Sequence, residues 1–249
     1  MKAENILAII NESTLVSDER HDYNAYMEWV KEHDGKVSMP TPVGMLALIA
    51  YLAEKEIREE SVKAKLGASA VTVARLVDRY MKEPESRWKG ASMGDVHGER
   101  CQIFLLRDCL LVVLKEPNEL IEKSDDDNAG EKLSSLFAKF EAGNFRDIKV
   151  KPEDIESAYK LSRTRGCKPT SRSRKRYPAI TMNGKGYDAE LVRDALKILG
   201  TDHMAWRQEV NSLCADIIET DRGIAVICPV MLKGGALVAG RPIEVKVEN

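Results

Sequence analysis

The sequence predicts an α+β protein: a helical N-terminal domain followed by a domain that mixes short strands and helices. Two patterns carry this prediction. Over the first 90 residues, apolar side chains recur at the three- and four-residue spacing of helices. From Glu99 onward, short runs of consecutive apolar residues are separated by turns, which is typical of buried strands. We therefore expect a helical domain over residues 1–90 and an α+β domain over residues 99–249.

The composition is that of an ordinary folded protein. Of its 249 residues, 43% are hydrophobic and 31% charged, and the formal net charge is -2. A chain of this length can form one large or two modest domains, and its overall charge does not predict polyanion binding. The five cysteines are odd in number and widely spaced, which indicates a reducing compartment. With no leader and no apolar stretch near the roughly 20 residues of a membrane span, we expect a cytoplasmic protein without a membrane anchor.

The N-terminal domain begins with helical patterns over residues 2–10 and 23–31, ahead of a break at Pro40-Thr41-Pro42. Threonine is a favoured helix cap and proline is favoured at the first helical position. A third helix is therefore expected to begin after Thr41 and to end in a charged stretch over residues 54–60. The side chains expected on its buried face are Met45, Leu48, Ile49 and Leu52.

Two further helical segments, over residues 60–66 and 70–81, are expected to meet at Gly67-Ala68-Ser69. Glycine permits a left-handed turn and serine caps a following helix. Together the segments resemble the helix-turn-helix of bacterial repressors, whose second helix enters the major groove of DNA. The residues that the resemblance places at the DNA are Ser69, Thr72 and Arg75. A plain helical hairpin satisfies the same pattern.

A linker is expected over Pro84–Gly94, which is polar and contains both glycine and proline. Beyond it, two apolar runs joined by Arg107-Asp108 predict a hairpin of buried strands. The turn expected at His203–Arg207 separates the last helix from the last strands. The other elements are expected as helix 132–140, strand 147–150, helix 151–163, a strand and helix within 179–200, and strands near 214–219, 224–232 and 242–247. This order amounts to two β-α-β units.

The last of these units has a distinctive order of strand, two-faced helix and further strands. Asn183-Gly184 precedes the end of a strand, Tyr187-Asp188-Ala189 opens the helix, and a strand from Gly223 ends in an apolar-Pro-apolar peptide. In that order, residues 183–232 resemble the last half-domain of the bacterial sliding clamp, the β subunit of the replicative DNA polymerase. The helix side chains expected to be buried are Leu191, Val192, Ala195, Leu196 and Leu199.

The clamp resemblance implies a function as well as a fold. It implies two β-α-β units whose outer helix faces meet DNA, with Lys160 and Arg163 on one helix and Arg193 and Lys197 on the other. Since the chain has room for one clamp-like domain, a ring would require a homo-oligomer. The resemblance also implies an apolar pocket for a partner protein's peptide, formed by Pro229, Val230, Met231 and Leu232. The alternatives are a final core strand and solvated surface charges.

The strongest electrostatic feature is a basic segment between the two units, with the loop itself over residues 163–176. Flexible basic segments neutralise phosphates and bind nucleic acid without sequence preference. The segment therefore predicts contact with nucleic acid or another polyanion, and the alternative is a solvated loop. The segment contains no acidic residue. Its basic residues are Lys160, Arg163, Arg165, Lys168, Arg172, Arg174, Lys175 and Arg176.

Catalytic motifs are not found. The four histidines lack the paired spacing of metal ligands, and no glycine-rich phosphate loop or nucleophile motif is present. We therefore expect a non-enzyme without a cofactor or metal: a DNA-associated scaffold or regulator, of a phage or other mobile element. The first alternative is a protein-interaction module that inhibits or recruits another protein without binding DNA. The second is an enzyme without a recognised motif.

Overall fold

A computed structural model describes residues 3–12, 17–35, 41–84, 86–165, 179–230 and 243–248. The chain divides into two compact units, Met1–Val71 and Thr72–Asn249. The division falls ahead of the expected linker and inside a helix. Among the described helices, none combines the length and apolar character needed to cross a membrane.

The first unit is helical, as predicted, and contains α1 (Ala3–Glu12), α2 (Ser17–Glu32) and α3 (Pro42–Leu66). The backbone N–H of Gly44 donates to the Thr41 hydroxyl at 3.1 Å, which confirms Thr41 as the cap of α3. Caps of this kind satisfy one of the unpaired N–H groups at a helix start. The core of the unit is formed by Ile10, Tyr23, Met27, Ala47 and Ala50.

Two expectations about α3 are wrong. The helix runs without a break for 25 residues to Leu66, so residues 60–66 belong to it. Its small side chains form the buried face, whereas Met45, Ile49 and Leu52 are 46%, 39% and 52% exposed and Leu48 is half-buried. Between residues 43 and 53 nearly every α3 side chain is apolar, so periodicity alone could not say which face would pack. The buried small residues are Gly44, Ala47, Ala50 and Ala53.

The next helix, α4 (Ala68–Met81), follows α3 after a single residue, Gly67. Gly67 has a φ of 84° and a ψ of 167°, a combination that is accessible essentially only to glycine. Ser69 lies inside the first turn of α4 and does not precede it. The turn between the two helices is therefore one residue long, whereas three residues were predicted.

The second unit mixes helices and strands, as predicted, and its large sheet is antiparallel. Seven strands lie in the order β1-β2-β3-β9-β8-β7-β4, and every neighbouring pair is antiparallel. The predicted hairpin at Arg107-Asp108 joins β2 and β3. After α4 the elements are β1 (Ser92–Val96), β2 (Glu99–Leu106), β3 (Leu110–Leu114), α5 (Ala129–Glu141), β4 (Phe145–Ile148), α6 (Pro152–Arg165), β5 (Ala179–Met182), β6 (Lys185–Asp188), α7 (Ala189–Leu199), β7 (Ala205–Glu209), β8 (Asp216–Thr220), β9 (Gly223–Ile227) and β10 (Ile243–Glu244).

The large sheet is buried on both faces. Successive side chains of a strand point to opposite faces, so Phe104 packs into the core that contains α6 and α7, whereas Ile103 packs against α5. Phe137 anchors α5 on its face, and Leu191 anchors α7 on the other. Strands β3 and β9, in the middle of the sheet, therefore consist of continuous apolar runs, which made them recognisable in the sequence.

A second, smaller sheet has the order β10-β5-β6. Asn183 and Gly184, with φ values of 49° and 78°, form the tight turn between β5 and β6. The Val230 N–H donates to the Gly186 carbonyl at 2.9 Å, so the peptide after β9 runs alongside β6.

Two strands of the large sheet were not predicted. Residues 203–207 were expected to form a turn, yet β7 starts at Ala205. Its buried side chains include Gln208 and Glu209, so it has no apolar run to mark it. The first strand, β1, begins inside the expected linker, and its residue Gly94 packs closely against α5. A Cβ there would lie 2.3 Å from the Ser134 hydroxyl of α5.

Candidate nucleic-acid interface

Helix α6 provides the described part of the predicted basic surface. It begins at Pro152 with Glu153 and Asp154 in its first turn, an arrangement that favours the helix dipole. Tyr159 lies on its buried face. Beyond Glu156 the helix contains no acidic residue. The charged residues of its C-terminal half are therefore all basic.

Two basic side chains of α6 face solvent. Lys160 is 72% exposed and lies 3.5 Å from Glu156, one turn earlier. Ion pairs that are this exposed contribute little, so a phosphate can compete for the lysine. Arg163 is exposed, with its guanidinium carbon 5.8 Å from the centre of the Tyr159 ring. Arg165 is the last residue of α6. The other predicted contacts of the segment, Lys168, Arg172, Arg174, Lys175 and Arg176, lie outside the described residues.

Helix α7 does not offer the basic face that the clamp resemblance implied. Lys197 is exposed, as expected. Arg193, however, is only 13% exposed, and its Nε donates to Asp194 at 2.7 Å. Its guanidinium carbon lies 3.9 Å from the centre of the Tyr159 ring of α6. The structure therefore corrects the expectation of a shared outer face, because Arg193 holds α6 and α7 together.

Asp194 is the centre of a buried ionic cluster in the second unit. Its side chain is 0% exposed and accepts hydrogen bonds from Arg79 at 2.8 Å and the Tyr80 hydroxyl at 2.7 Å. Burial, and then the nearby carboxylate, raise the pKa of Tyr80. A buried carboxylate requires this number of donors, since an unpaired charge in the interior is very costly. The cluster fixes α4 and α7 to each other, and α6 to both through Arg193.

Arg107, at the turn between β2 and β3, makes a second set of contacts beside this cluster. It binds Glu83 through two hydrogen bonds of 2.6 and 2.8 Å and stacks 4.7 Å from the Tyr80 ring centre. Arg107 and Asp108 both have positive φ, of 51° and 54°, the geometry of a type I′ turn. Residues other than glycine adopt it at a cost of about 1 kcal/mol or more, and the contacts of Arg107 offset that cost.

Asp188 caps the start of α7 and is nearly buried. Its Oδ1 accepts from the Glu190 N–H at 2.9 Å, and its Oδ2 lies 3.8 Å from Arg107. Burial raises the pKa of Asp188 to about 6, while the backbone hydrogen bonds and Arg107 oppose that rise. Burial therefore favours the protonated form of this carboxyl. The sequence signalled its cap position but not its pKa.

A separate buried network surrounds Asp216, which is 0% exposed. Its carboxylate accepts from Lys185 Nζ at 2.6 Å, the Tyr187 hydroxyl at 2.5 Å, Trp206 Nε1 at 3.1 Å and the Glu209 N–H at 3.1 Å. Every one of these donors is itself buried. The network is closed to solvent, so it supports the sheet and offers no group to a ligand.

The other predicted sites are only partly described. Pro229 and Val230 are half-buried, and Met231 and Leu232 lie outside the described residues. Ser69, which belongs to the first unit, is exposed, and so are Thr72 and Arg75 of the second. The helix-turn-helix and the apolar pocket therefore stay predictions.

Neither a metal site nor a similar protein helps to assign a function. In the part of the chain that the structure describes, no three His, Cys, Asp or Glu side chains are grouped as a metal site would require. No protein-family model matches the chain, and neither does any curated protein or solved structure. The candidate interface is therefore assigned from charge and exposure.

Proposed function

We propose that the protein is a non-enzymatic DNA-associated scaffold or regulator. It holds the phosphate backbone along the C-terminal half of α6 and the basic stretch that follows. The observation that carries the proposal is the separation of charge along the chain. Residues 160–176 contain eight basic and no acidic residues, and the rest of the chain has 30 basic against 40 acidic residues. A basic segment on an otherwise acidic protein is the electrostatic pattern of a phosphate-binding surface.

The described residues support this proposal in two ways. Lys160 and Arg163 are exposed near the C-terminal end of α6. The helix itself is held against α7 by the contact between Tyr159 and Arg193. Neither Lys160 nor Arg163 is held in a buried ion pair, so both can exchange water or a weak partner for a phosphate. Contacts of this kind position a protein on DNA without reading its sequence.

The clamp-like arrangement belongs to the same proposal. It is supported by α6 and α7, which pack together on one side of the antiparallel sheet. Helix α5, which precedes both of them in the chain, packs on the opposite face of that sheet. In the clamp-like arrangement, the basic side chains that face solvent from helices are therefore Lys160 and Arg163 of α6 and Lys197 of α7. A ring would still require several copies of the chain.

The test is fluorescence anisotropy with random double- and single-stranded DNA at about 50 mM and about 200 mM salt. The variant R172A/R174A/K175A/R176A removes four charges from the basic stretch. Its matched control, K123A/K139A/K149A/K246A, removes four exposed lysines elsewhere in the second unit. We expect wild-type affinity to fall on the order of a hundredfold between the two salts, as for about four phosphate contacts.

The two variants decide the outcome. Loss of binding in the first variant, with near wild-type binding and salt dependence in the control, supports the proposal. Equal losses in both would mean that general charge alone drives binding. Failure of the wild type to bind either DNA at the lower salt would reject the proposal.

The second candidate function is a protein-interaction module that does not bind DNA. Large apolar side chains exposed on both units favour it, including Val210 and Leu213, which are 60% and 67% exposed. Burial of such residues gives an affinity that salt changes little, in contrast to phosphate contacts. Binding to a protein that persists at the higher salt, without DNA binding, would favour this function.

A further inference from the structure

Of the five large apolar side chains that are exposed among the described residues of the first unit, three belong to α3. Met45, Ile49 and Leu52 lie four and three residues apart, which places them on one face of the helix. The opposite face, made of alanines and glycine, is the one that packs against α1 and α2. A helix that is apolar on all sides is normally covered on all sides. Contiguous exposed apolar side chains indicate an interaction surface.

The same face becomes acidic toward its C-terminal end. Glu56 follows Leu52 by four residues and Glu60 follows by four more, and both are exposed. The five side chains from Met45 to Glu60 form a ridge about 22 Å long, here called the α3 ridge. Lys63 comes one turn later, where the helix dipole favours a cation. The first unit as a whole has 12 acidic and 8 basic residues, so its field also favours a basic partner.

We propose that the α3 ridge binds an amphipathic helix of a partner protein, with an apolar face that ends in lysine or arginine residues. The partner's apolar side chains would bury Met45, Ile49 and Leu52, which supplies most of the affinity. Its cations would lie against Glu56 and Glu60. Complementary charges of this kind select the partner and fix the direction in which its helix lies.

The charge pattern also argues against a second copy of the chain as the occupant. If two α3 helices paired in parallel, Glu56 and Glu60 would face their own copies, and like charges repel. If they paired antiparallel about Ile49, Glu56 would lie opposite Pro42, which offers no cation. A partner with basic residues at one end satisfies both the apolar and the acidic parts of the ridge.

The experiment uses the full chain and two synthetic helical peptides of about 18 residues, or five turns. Both peptides have the same leucine stripe, which ends in lysines in one and in glutamates in the other. Isothermal titration calorimetry should show binding of the lysine peptide and at least tenfold weaker binding of the glutamate peptide. The M45S/I49S/L52S variant should bind the lysine peptide at least tenfold more weakly than wild type. The E56Q/E60Q variant should bind it about three- to tenfold more weakly, and this binding should no longer depend on salt.

The matched control is V210S/L213S, which removes two exposed apolar side chains outside the ridge and should leave peptide binding unchanged. All substituted side chains are exposed, so circular dichroism should show an unchanged fold. No binding, equal binding of both peptides, or equal loss in the control would overturn the proposal. A dimer in light scattering that M45S/I49S/L52S dissociates would instead make the ridge a self-interface. DNA binding depends on other residues, so either result leaves that proposal unaffected.

Discussion

Helices α6 and α7 pack against each other, but they differ in what they leave exposed. The basic end of α6 turns Lys160 and Arg163 to solvent. In α7, eight of the 11 residues are buried, including the charged Asp194, and Arg193 is turned inward. Both helices have basic residues at helical spacing, so the sequence treated them alike. The difference shows that one buried carboxylate can convert a predicted surface arginine into a structural one.

The largest expected effect is on the buried side of this comparison. Asp194→Ala leaves Arg193, Tyr80 and Arg79 without their shared acceptor. Removing one partner of a buried ion pair typically costs 3–5 kcal/mol, and since Arg79 is half-exposed we expect about 3 kcal/mol. Urea denaturation measures this change in the free energy of unfolding. Asp154→Ala, on the exposed start of α6, is the control, with a change of about 0.5 kcal/mol or less. Similar costs for both would contradict a central role for Asp194.

The next prediction contrasts the two arginines that flank Tyr159. Arg193→Ala should lower the free energy of unfolding by about 1–2 kcal/mol, because it removes a cation–π contact and a charge-assisted hydrogen bond. It should leave the salt dependence of DNA binding unchanged. Arg163→Ala should leave stability unchanged and reduce the salt slope by about one. Urea denaturation and anisotropy titrations on both variants check this. A reduced salt slope in Arg193→Ala but not in Arg163→Ala would show that Arg193 is the phosphate contact.

Asp188, at the start of α7, predicts a pH dependence of stability. Its pKa is raised from 3.8 to about 6 in the folded protein, so folding favours the protonated carboxyl. Its favourable contribution is fully present below about pH 4 and is lost as the pH rises through 6. Asp188→Asn keeps a capping side chain but cannot ionise. We expect the variant to gain stability relative to wild type, by about 1 kcal/mol or more, between pH 4.5 and pH 7.

Thermal unfolding at several pH values measures this difference. Asp154→Asn is the matched control, since that carboxylate is exposed at the start of α6. A stability difference between Asp188→Asn and wild type that does not change with pH would show that Asp188 has an ordinary pKa.

The smallest effect is expected at Lys197, the exposed end of α7. Lys197→Ala should change the free energy of unfolding by less than about 0.5 kcal/mol. If α7 contributes to DNA binding only through this residue, the salt slope should fall by at most about one. An anisotropy titration measures it against Lys246→Ala, an exposed lysine of the small sheet's last segment. A larger loss at Lys197 would restore α7 as a principal DNA-contacting helix.

Sequence reasoning succeeded where a local pattern had one structural solution. The cap at Thr41 and the hairpin around Arg107-Asp108 were both confirmed. The buried side of α7 was also confirmed, because Leu191, Val192, Ala195, Leu196 and Leu199 are all buried. In each case neighbouring residues alone supply the physical reason.

It failed where the deciding partner is distant in the chain. Strand β7 is stabilised through Trp206, which donates to Asp216, and through Gln208, which donates to the Met182 carbonyl. Polar side chains in such a strand look like a turn until their partners are known. Gly94 looked like part of a linker for the same reason, although it provides the space for Ser134 of α5.

Local sequence patterns were enough to predict the mixed helix and strand composition, most of the elements and the position of the basic segment. These properties follow from hydrophobic periodicity, from the conformational limits of glycine and proline, and from charge. The packed face of α3, the contacts of Arg193 with Asp194 and Tyr159, and the burial of Lys185 beside Asp216 became known only from the three-dimensional fold. Those outcomes depend on contacts between residues far apart in the chain. A buried charge that loses its ionic partner destabilises the fold by about 3–5 kcal/mol, so such partners must be brought together by folding.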